Sequence, residues 1–153
     1  MSTVPTLKHF CDLYVKLSPI VEMGNGRFGK RRIIPIIGGE ARGERVNGKI
    51  LNVGADWQTV LADGTAELVA RYAFETDDGA VIEIDNYGFR HGPPDVISAL
   101  VRGDDVDPSA YYMRTMARLE TGDPRYAWVN NRLFVGSGSR QAESVKIALY
   151  EVC

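Results

Sequence analysis

Apolar and polar residues alternate along most of the chain, which is the period of a β-strand rather than of a helix. In the segment 10–17, for example, Cys11, Leu13, Val15 and Leu17 fall on one face. The other segments with strand character are 31–39, 56–61, 66–76, 80–87, 111–121, 125–138 and 144–152. With two short strands in 39–54, the pattern predicts about nine or ten strands.

Glycine-containing turns separate these segments. Asp63-Gly64 and Asp78-Gly79 predict tight hairpins, and a further turn is expected near Asn47-Gly48. Pro35 has no backbone donor, so an edge, a bulge or an irregular pairing is expected there. A bulge at Asn130-Asn131 would fit the long segment 125–138.

One short helix is predicted at about 94–102, after the corner "HGPP" at 91–94. Pro94 suits the first turn of a helix, and Asp95 suits its positive end. Gly103 then ends the helix. Because this corner interrupts the strands with a helix, we expect it to form the rim of a barrel mouth.

Alternating helices of the kind that connect parallel strands are absent from the pattern. The sequence therefore predicts an all-β fold: a single antiparallel β-barrel of about 8–10 strands with one short helix, in one domain over 1–153. A barrel leaves no exposed strand edges, which favours it over a β-sandwich, the alternative.

The composition narrows the possible partners. The net charge is −2 and charged residues make up 25%, so neither nucleic acid nor a membrane surface is expected as a partner. No signal-peptide pattern or long apolar run is present, which predicts a cytoplasmic protein. Cys11 and Cys153 are then expected as free thiols.

Several strands carry aromatic and polar residues together instead of a simple apolar face. That mixture is typical of a small-molecule pocket, although polar faces are also simply solvated in many sheets. We predict a ligand in the barrel interior. The candidate ligand-binding residues are Trp57, Arg71, Asn86, Tyr112, Arg114, Glu120, Trp128 and Asn130.

The candidate catalytic residues are His91, Asp56 and Arg90. A histidine titrates near neutral pH, an aspartate facing a cavity is a candidate base, and an arginine holds an anionic oxygen. The simpler alternatives are a histidine that ends a strand and an aspartate that caps a turn. No zinc-like spacing or phosphate-binding loop occurs, so neither a metal nor a cofactor is expected.

The stretches "RRIIPIIGGEARG", "GADWQ", "ARYAFETDDGAVIEI", "RHGPP" and "YYMRT" resemble the domain-of-unknown-function 3237 family. So does "RLETGDPRYAWVN" with the later "LFVGSG", and the resemblance runs from about Phe10 to Val152. It implies a compact antiparallel β-barrel and brings no established reaction. It also implies that the candidate site residues lie within the family's signature stretches.

The leading functional hypothesis is a cofactor-free enzyme that performs acid–base chemistry on a small carbonyl or aromatic metabolite. Isomerisation, cyclisation, elimination and hydrolysis all remain open. One alternative is a barrel that binds a small ligand without changing it. Another is a protein whose polar faces are interfaces, and a homo-oligomer is expected because several strands have no cleanly polar face.

Overall fold

A computed structural model describes residues 2–153, and most of these residues belong to β-strands. A short helix, α1 (Pro94–Val101), and two 3-10 segments, Pro108–Ala110 and Ala127–Asn131, complete the structure. The strands are β1 (Leu7–Leu17), β2 (Val21–Asn25), β3 (Lys30–Arg42), β4 (Asn47–Ile50), β5 (Gly54–Val60), β6 (Ala66–Thr76), β7 (Val81–His91), β8 (Tyr112–Glu120), β9 (Leu133–Arg140) and β10 (Ser144–Val152).

The sheet closes into an eight-stranded antiparallel barrel, as the alternating pattern predicted. Strands β6, β7, β8, β9, β10 and β1 pair in turn, and β1 closes the circle by pairing with β3. Strands β4 and β5 share the position between β3 and β6, each pairing with both neighbours. Strand β2 lies outside the circle and pairs with β3.

The alternating pattern suits a closed barrel, because every second side chain of a strand points to the same side of the sheet and so lies in the barrel interior. On β7 the inward residues are Ile82, Ile84, Asn86, Gly88 and Arg90, all of which are buried. Towards Arg90 the inward side chains are therefore polar, and towards Ile82 they are aliphatic. The barrel thus has two chemically different ends.

The two predicted hairpin turns are present. Gly64 and Gly79 have φ angles of 88° and 91°, which glycine adopts without strain. Pro35 lies beside the end of the β1–β3 pairing, where the register shifts between Lys16 and Leu17. Pro35 itself pairs regularly with Ala55 on β5, so the irregularity expected at this residue lies instead in the adjacent β1–β3 pairing, at Ile37.

Two local predictions were wrong. The segment 125–138 is not one bulged strand, because a turn and the 3-10 segment Ala127–Asn131 precede β9. The turn expected at Asn47-Gly48 lies earlier, and Asn47 begins β4 instead. The Asn47 side chain exchanges hydrogen bonds with the backbone of Gly43, and this stabilises the turn just before the strand.

Aromatic side chains close the end of the barrel opposite Arg90. The Phe10 ring packs 5.2 Å from Phe134 and 5.5 Å from Trp128, measured between centroids. The Arg45 guanidinium lies 5.3 Å from the Phe10 ring and 5.1 Å from the Trp128 ring. Its Nη1 atom is also 3.4 Å from a carboxylate oxygen of the buried Glu151. We call this the closed end.

Candidate functional site

Three arginines converge at the other end of the barrel, which we call the mouth. Arg32 from β3, Arg90 from β7 and Arg140 from β9 all line one cavity there. Residues at the end of α1, including Leu100 and Val101, line the same cavity. The helix therefore stands at the rim of the mouth, immediately after the strand that carries Arg90.

The cavity has two connected parts. The outer chamber, at the mouth, has a volume of about 390 Å³. The inner chamber, inside the barrel, has a volume of about 40 Å³ and is largely apolar, with a few polar side chains from β5 to β8. Leu17, Ile34, Arg90 and Arg140 line both chambers. The outer chamber alone lies within the usual size range of small-molecule sites.

Asp56 is the carboxylate of the inner chamber, and its position is fixed by two hydrogen bonds. The Gln58 Nε2 atom donates to Asp56 Oδ2 at 2.6 Å, and the Val69 amide donates to Asp56 Oδ1 at 3.0 Å. The Gln58 Oε1 atom accepts a hydrogen bond from Arg32 Nε at 2.8 Å. These contacts connect a guanidinium to a carboxylate through one amide, whose orientation they determine.

Strand pairing is interrupted where this chain of contacts forms. Asp56 pairs with Ala70 and Thr59 pairs with Glu67, but the two residues between them on β5 have no ladder partner on β6. The Asp56 carboxylate accepts the Val69 amide hydrogen at this gap. Asp56 is directly opposite the buried Ala70, and Gln58 is two positions further along β5, so ordinary strand alternation points both side chains towards the inner chamber.

Burial and like charges alter the acidity of the mouth residues. Burial, followed by the charges of Arg32 and Arg140, lowers the pKa of Arg90 to about 10, so Arg90 stays protonated at neutral pH. Burial likewise lowers the pKa of Arg32 and of Arg140. Burial raises the pKa of Asp56, against the opposing effects of its hydrogen bonds and of the nearby arginines. The mouth therefore holds more positive than negative charge.

The structure brings three of the sequence-predicted residues into the cavity. Asp56, Asn86 and Arg90 all line the inner chamber. Asn86 and Arg90 are only 3% and 5% exposed, which excludes a solvated outer position for either residue. Asp56 does not cap a turn, because it lies within β5.

His91 lies on the outside of the barrel, although it follows Arg90 directly. Neighbouring residues of a strand point to opposite faces, so the two side chains cannot share the interior. The His91 ring stacks on the Tyr112 ring with centroids 4.8 Å apart and planes 14° apart. The predicted pairing of Arg90 with His91 in one site is therefore wrong.

Most of the other predicted ligand-binding residues also lie outside the cavity. Trp57 is 44% exposed, and Arg71 forms an outer ion pair with Glu83 at 2.7 Å. Tyr112, Arg114 and Glu120 are all on the outward face of β8. Each of these strands presents its opposite face to the interior.

Trp128 and Asn130 belong to the 3-10 segment that precedes β9. Trp128 packs against Phe10 at the closed end. The Asn130 side chain accepts from the Thr121 amide at 2.8 Å and donates to the Thr121 carbonyl at 2.9 Å. Asn130 therefore fixes a loop, and neither residue lines the cavity at the mouth.

The candidates taken from the sequence lack five polar cavity residues of the barrel strands: Arg32, Gln58, Tyr72, Thr115 and Arg140. They also lack Ser18, Arg102 and Glu143, which line the outer chamber. The sequence contained one indication of the strand residues, because a polar residue two or four positions from a buried aliphatic residue of the same strand points to the same side. Arg32 has the same parity as Ile34 and Ile36, which are buried, and the same rule finds Asn86 and Arg90 from Ile82 and Ile84.

Two properties of the described chain bear on the class of site. Residues 2–153 contain no cluster of three or more His, Cys, Asp or Glu side chains arranged to hold a metal ion. Among the helices of that range, none is long and apolar enough to cross a membrane.

Known proteins share this fold and much of this sequence. A conserved protein of unknown function from Rhodopseudomonas palustris has a solved structure with a TM-score of 0.95 and 42% identity, covering 99% of this chain and 100% of that one. A beta-barrel like protein from Acinetobacter baumannii gives a TM-score of 0.88 at 40% identity, covering 100% of this chain and 99% of that one. An enzyme from Penicillium herquei gives a TM-score of 0.73 at 18% identity, covering 100% of this chain and 98% of that one.

The family-level match covers nearly the whole chain. The model of the family described as "Protein of unknown function (DUF3237)" matches residues 5–152. A curated Rhodopseudomonas palustris relative of the uncharacterised UPF0311 group is 45% identical over 150 residues, which span 97% of this chain and 98% of the relative. The resemblance noted from the motifs is confirmed, and the chain belongs to the DUF3237 family.

Proposed function

We propose that the protein binds a small organic anion in the barrel mouth and catalyses a proton transfer on it. The observation that carries this proposal is the convergence of Arg32, Arg90 and Arg140 on a cavity whose inner chamber contains one carboxylate, Asp56. The exposed Arg102 and Glu143 also line the outer chamber and carry opposite charges, so the cavity lining keeps an excess of positive charge. A bound carboxylate, phenolate or enolate would neutralise that excess.

Asp56 is the general base in this proposal. A carboxylate whose pKa is raised by burial is a stronger base than a solvated one, and this suits proton abstraction near neutral pH. An ionised carboxylate offers about four acceptor positions, and Gln58 and Val69 occupy two of them. Acceptor capacity therefore remains for a substrate proton.

The arginines supply the second requirement of such chemistry. When Asp56 removes a proton next to a carbonyl group, negative charge develops on the carbonyl oxygen. A guanidinium held in a largely buried site stabilises that charge without having to reorganise. Isomerisation, elimination and cyclisation through an enolate or phenolate contain a step of this kind. In a hydrolysis, Asp56 would instead take the proton of the attacking water while the arginines stabilise the oxyanion of the tetrahedral intermediate.

The second candidate is a barrel that binds the anion without changing it. The observation that favours it is that both oxygens of Asp56 already accept hydrogen bonds, as expected for a structural carboxylate. The Penicillium herquei protein is described as an enzyme, but at 18% identity its likeness extends to the fold alone. The choice between the two candidates therefore rests on Asp56.

Deuterium exchange into small oxo acids distinguishes the two candidates. The probes are 2-oxobutanoate, levulinate and phenylpyruvate, incubated with the protein in D₂O and followed by proton NMR, with binding measured by calorimetry. We expect faster loss of the protons next to the carbonyl of at least one bound probe than in buffer. The rate should return to the buffer value in Asp56→Asn and stay high in Arg71→Met, a matched arginine on the outer face.

Two other results would count against the catalytic proposal. If probes bind but none of them exchanges its protons faster than in buffer, the result would support the binding barrel. Exchange that survives Asp56→Asn would remove Asp56 as the base. Failure of every probe to bind would contradict the anion site itself.

We also propose that the protein is a homo-oligomer. The outer faces of β7 and β8 carry Phe89, Tyr112 and Met116, which are 36%, 46% and 60% exposed and line one shallow depression together with Leu7. Apolar surface of this kind favours a protein contact. Light scattering checks the assembly, and Met116→Glu is expected to reduce the measured mass.

A further inference from the structure

Buried polar atoms without a partner are concentrated in the inner chamber. In residues 2–153, five side-chain atoms of this kind occur. Four belong to residues that line the chamber: Tyr72 Oη, Asn86 Oδ1, Arg90 Nε and Thr115 Oγ1. The fifth, Arg45 Nε, is at the closed end. Buried polar groups are nearly always hydrogen-bonded, so four unpartnered atoms in one chamber indicate that a bound group, either a ligand or ordered water, satisfies them.

Strand register relates three of these residues by a diagonal that crosses β6, β7 and β8. Asn86 is directly opposite Ala70 and Ala117, so Tyr72 and Thr115 are its diagonal neighbours on β6 and β8. Diagonal neighbours on one face lie about 7–8 Å apart, so a small group beside Asn86 is within reach of both Tyr72 and Thr115. Tyr72 is deepest, opposite Ile84, and Thr115 is nearer the mouth, opposite Gly88. We call Tyr72, Asn86 and Thr115 the inner trio.

The hydrogen-bond donors and acceptors of the inner trio determine which ligand group can bind there. Burial raises the pKa of Tyr72, which therefore stays a neutral phenol and donates through its hydroxyl. Thr115 donates and accepts, and Asn86 Oδ1 accepts only. A carbonyl oxygen would satisfy Tyr72 and Thr115 but would leave Asn86 Oδ1 without a donor. A group that both donates and accepts is required.

Charge and size further limit which ligand group the inner trio can bind. The trio contains no charged side chain, so it does not compensate an ionised group. The inner chamber, at about 40 Å³, has space for only a few groups the size of a water molecule. A hydroxyl group fits both limits, since it donates one hydrogen bond, accepts two and is neutral.

We infer that the natural ligand is a hydroxy acid: its anionic group pairs with the arginines of the mouth and its hydroxyl group reaches the inner trio. This inference rests on the proposed function, since it needs the anion at the mouth. Asn86 is four residues deeper than Arg90 on β7, or about 13 Å of strand. Thr115 is opposite Gly88, which is two residues deeper than Arg90. A short apolar spacer connects the two groups of the ligand along the aliphatic wall that includes Leu68 and Ile34.

Matched ligands test this inference by calorimetry. The probes are ω-hydroxyalkanoates from butanoate to octanoate in chain length, each compared with the alkanoate in which a methyl group replaces the hydroxyl. For at least one length we expect the hydroxy acid to bind about tenfold or more tightly, since the methyl group leaves buried polar atoms unsatisfied. In the double variant Tyr72→Phe with Thr115→Val the two affinities should become equal, and Thr115→Ser should preserve the difference.

The variants also separate this inference from the proposed function. Arg90→Met should weaken both members of a pair equally, because it removes a partner of the shared carboxylate. If both members bind equally to the unchanged protein and both depend on Arg90, ordered water alone satisfies the trio and the hydroxy-acid inference is overturned while the anion site stands. If no member of any pair binds, the anion site and the inference are both overturned.

Discussion

The two ends of the barrel are built from the same strands but from opposite kinds of side chain. At the closed end, Phe10, Phe74 and Phe134 are at most 1% exposed and pack against aliphatic residues. At the mouth, the inward faces of β3, β7 and β9 carry Arg32, Arg90 and Arg140 around Asp56. The closed end can supply stability through burial, whereas the mouth retains charge and unpaired polar atoms that oppose folding. In this barrel, the side chains that stabilise the fold and the side chains of the candidate site therefore lie at opposite ends of the axis.

The largest effect is expected at the closed end. Phe134→Ala removes a fully buried ring in contact with Phe10 and Trp128, and we expect the free energy of unfolding to fall by about 3–5 kcal/mol. Urea unfolding measures this change. Leu133→Ala is the matched control, because Leu133 points outwards and is 64% exposed. Equal losses in the two variants would contradict the assignment of the closed end as the stabilising core.

The mouth should respond in the opposite direction. Arg90→Met replaces a buried guanidinium, whose Nε is unpartnered, by an apolar side chain of similar size. It also removes repulsion with Arg32 and Arg140, so we expect the free energy of unfolding to rise by about 1–4 kcal/mol while anion binding is lost. Urea unfolding and calorimetry on one preparation give both quantities. A destabilised variant would show that Arg90 is structural.

The pH dependence of the free energy of unfolding tests whether the pKa of Asp56 is raised in the folded protein. Because its pKa is raised in the folded protein, Asp56 binds its proton more tightly there than in the unfolded chain. Its stabilising contribution is therefore complete below the unfolded pKa of about 4, and is lost as the pH rises through the folded value. The stability of the wild type relative to Asp56→Asn should fall from about pH 4 upwards. A rise over that range would mean that the pKa of Asp56 is lowered.

The smallest effect is expected on the outer face. Arg71 pairs with Glu83 at 2.7 Å, but its side chain is 71% exposed, and surface pairs of this kind contribute about 0–1 kcal/mol. Arg71→Met should therefore change unfolding by no more than about 0.5 kcal/mol and leave anion binding unchanged. A loss of binding similar to that of Arg90→Met would return Arg71 to the site.

The sequence predicted the barrel because alternation and Asp-Gly turns are local signals. It predicted the site less well, because alternation shows which residues share a face but not which face points inwards. On β8 both faces are mixed, so Tyr112 and Arg114 were assigned to the interior although Met113 and Thr115 lie there. On β7 the buried pair Ile82 and Ile84 identifies the inner face.

Other parts of the site depend on contacts that no local pattern encodes. Arg32, Gln58 and Asp56 come together only when β3 and β5 pair. Arg140 joins them from the far side of the closed circle. Closure also determines which strand ends form the mouth, and this places Arg90 next to two like charges that are distant in sequence.

The Nε–H resonance of Arg90 offers the most direct test of the central claim, that the mouth binds a small organic anion through its arginines. In ¹⁵N-labelled protein, assigned with Arg90→Met, a hydroxyalkanoate or alkanoate is titrated while the arginine Nε–H and the Gln58 and Asn86 side-chain amide signals are followed. We predict saturable shifts of the Arg90, Gln58 and Asn86 signals, with the Arg71 signal unchanged. Saturable shifts confined to Arg71 and other outer residues, with the Arg90 signal unmoved, would contradict the account.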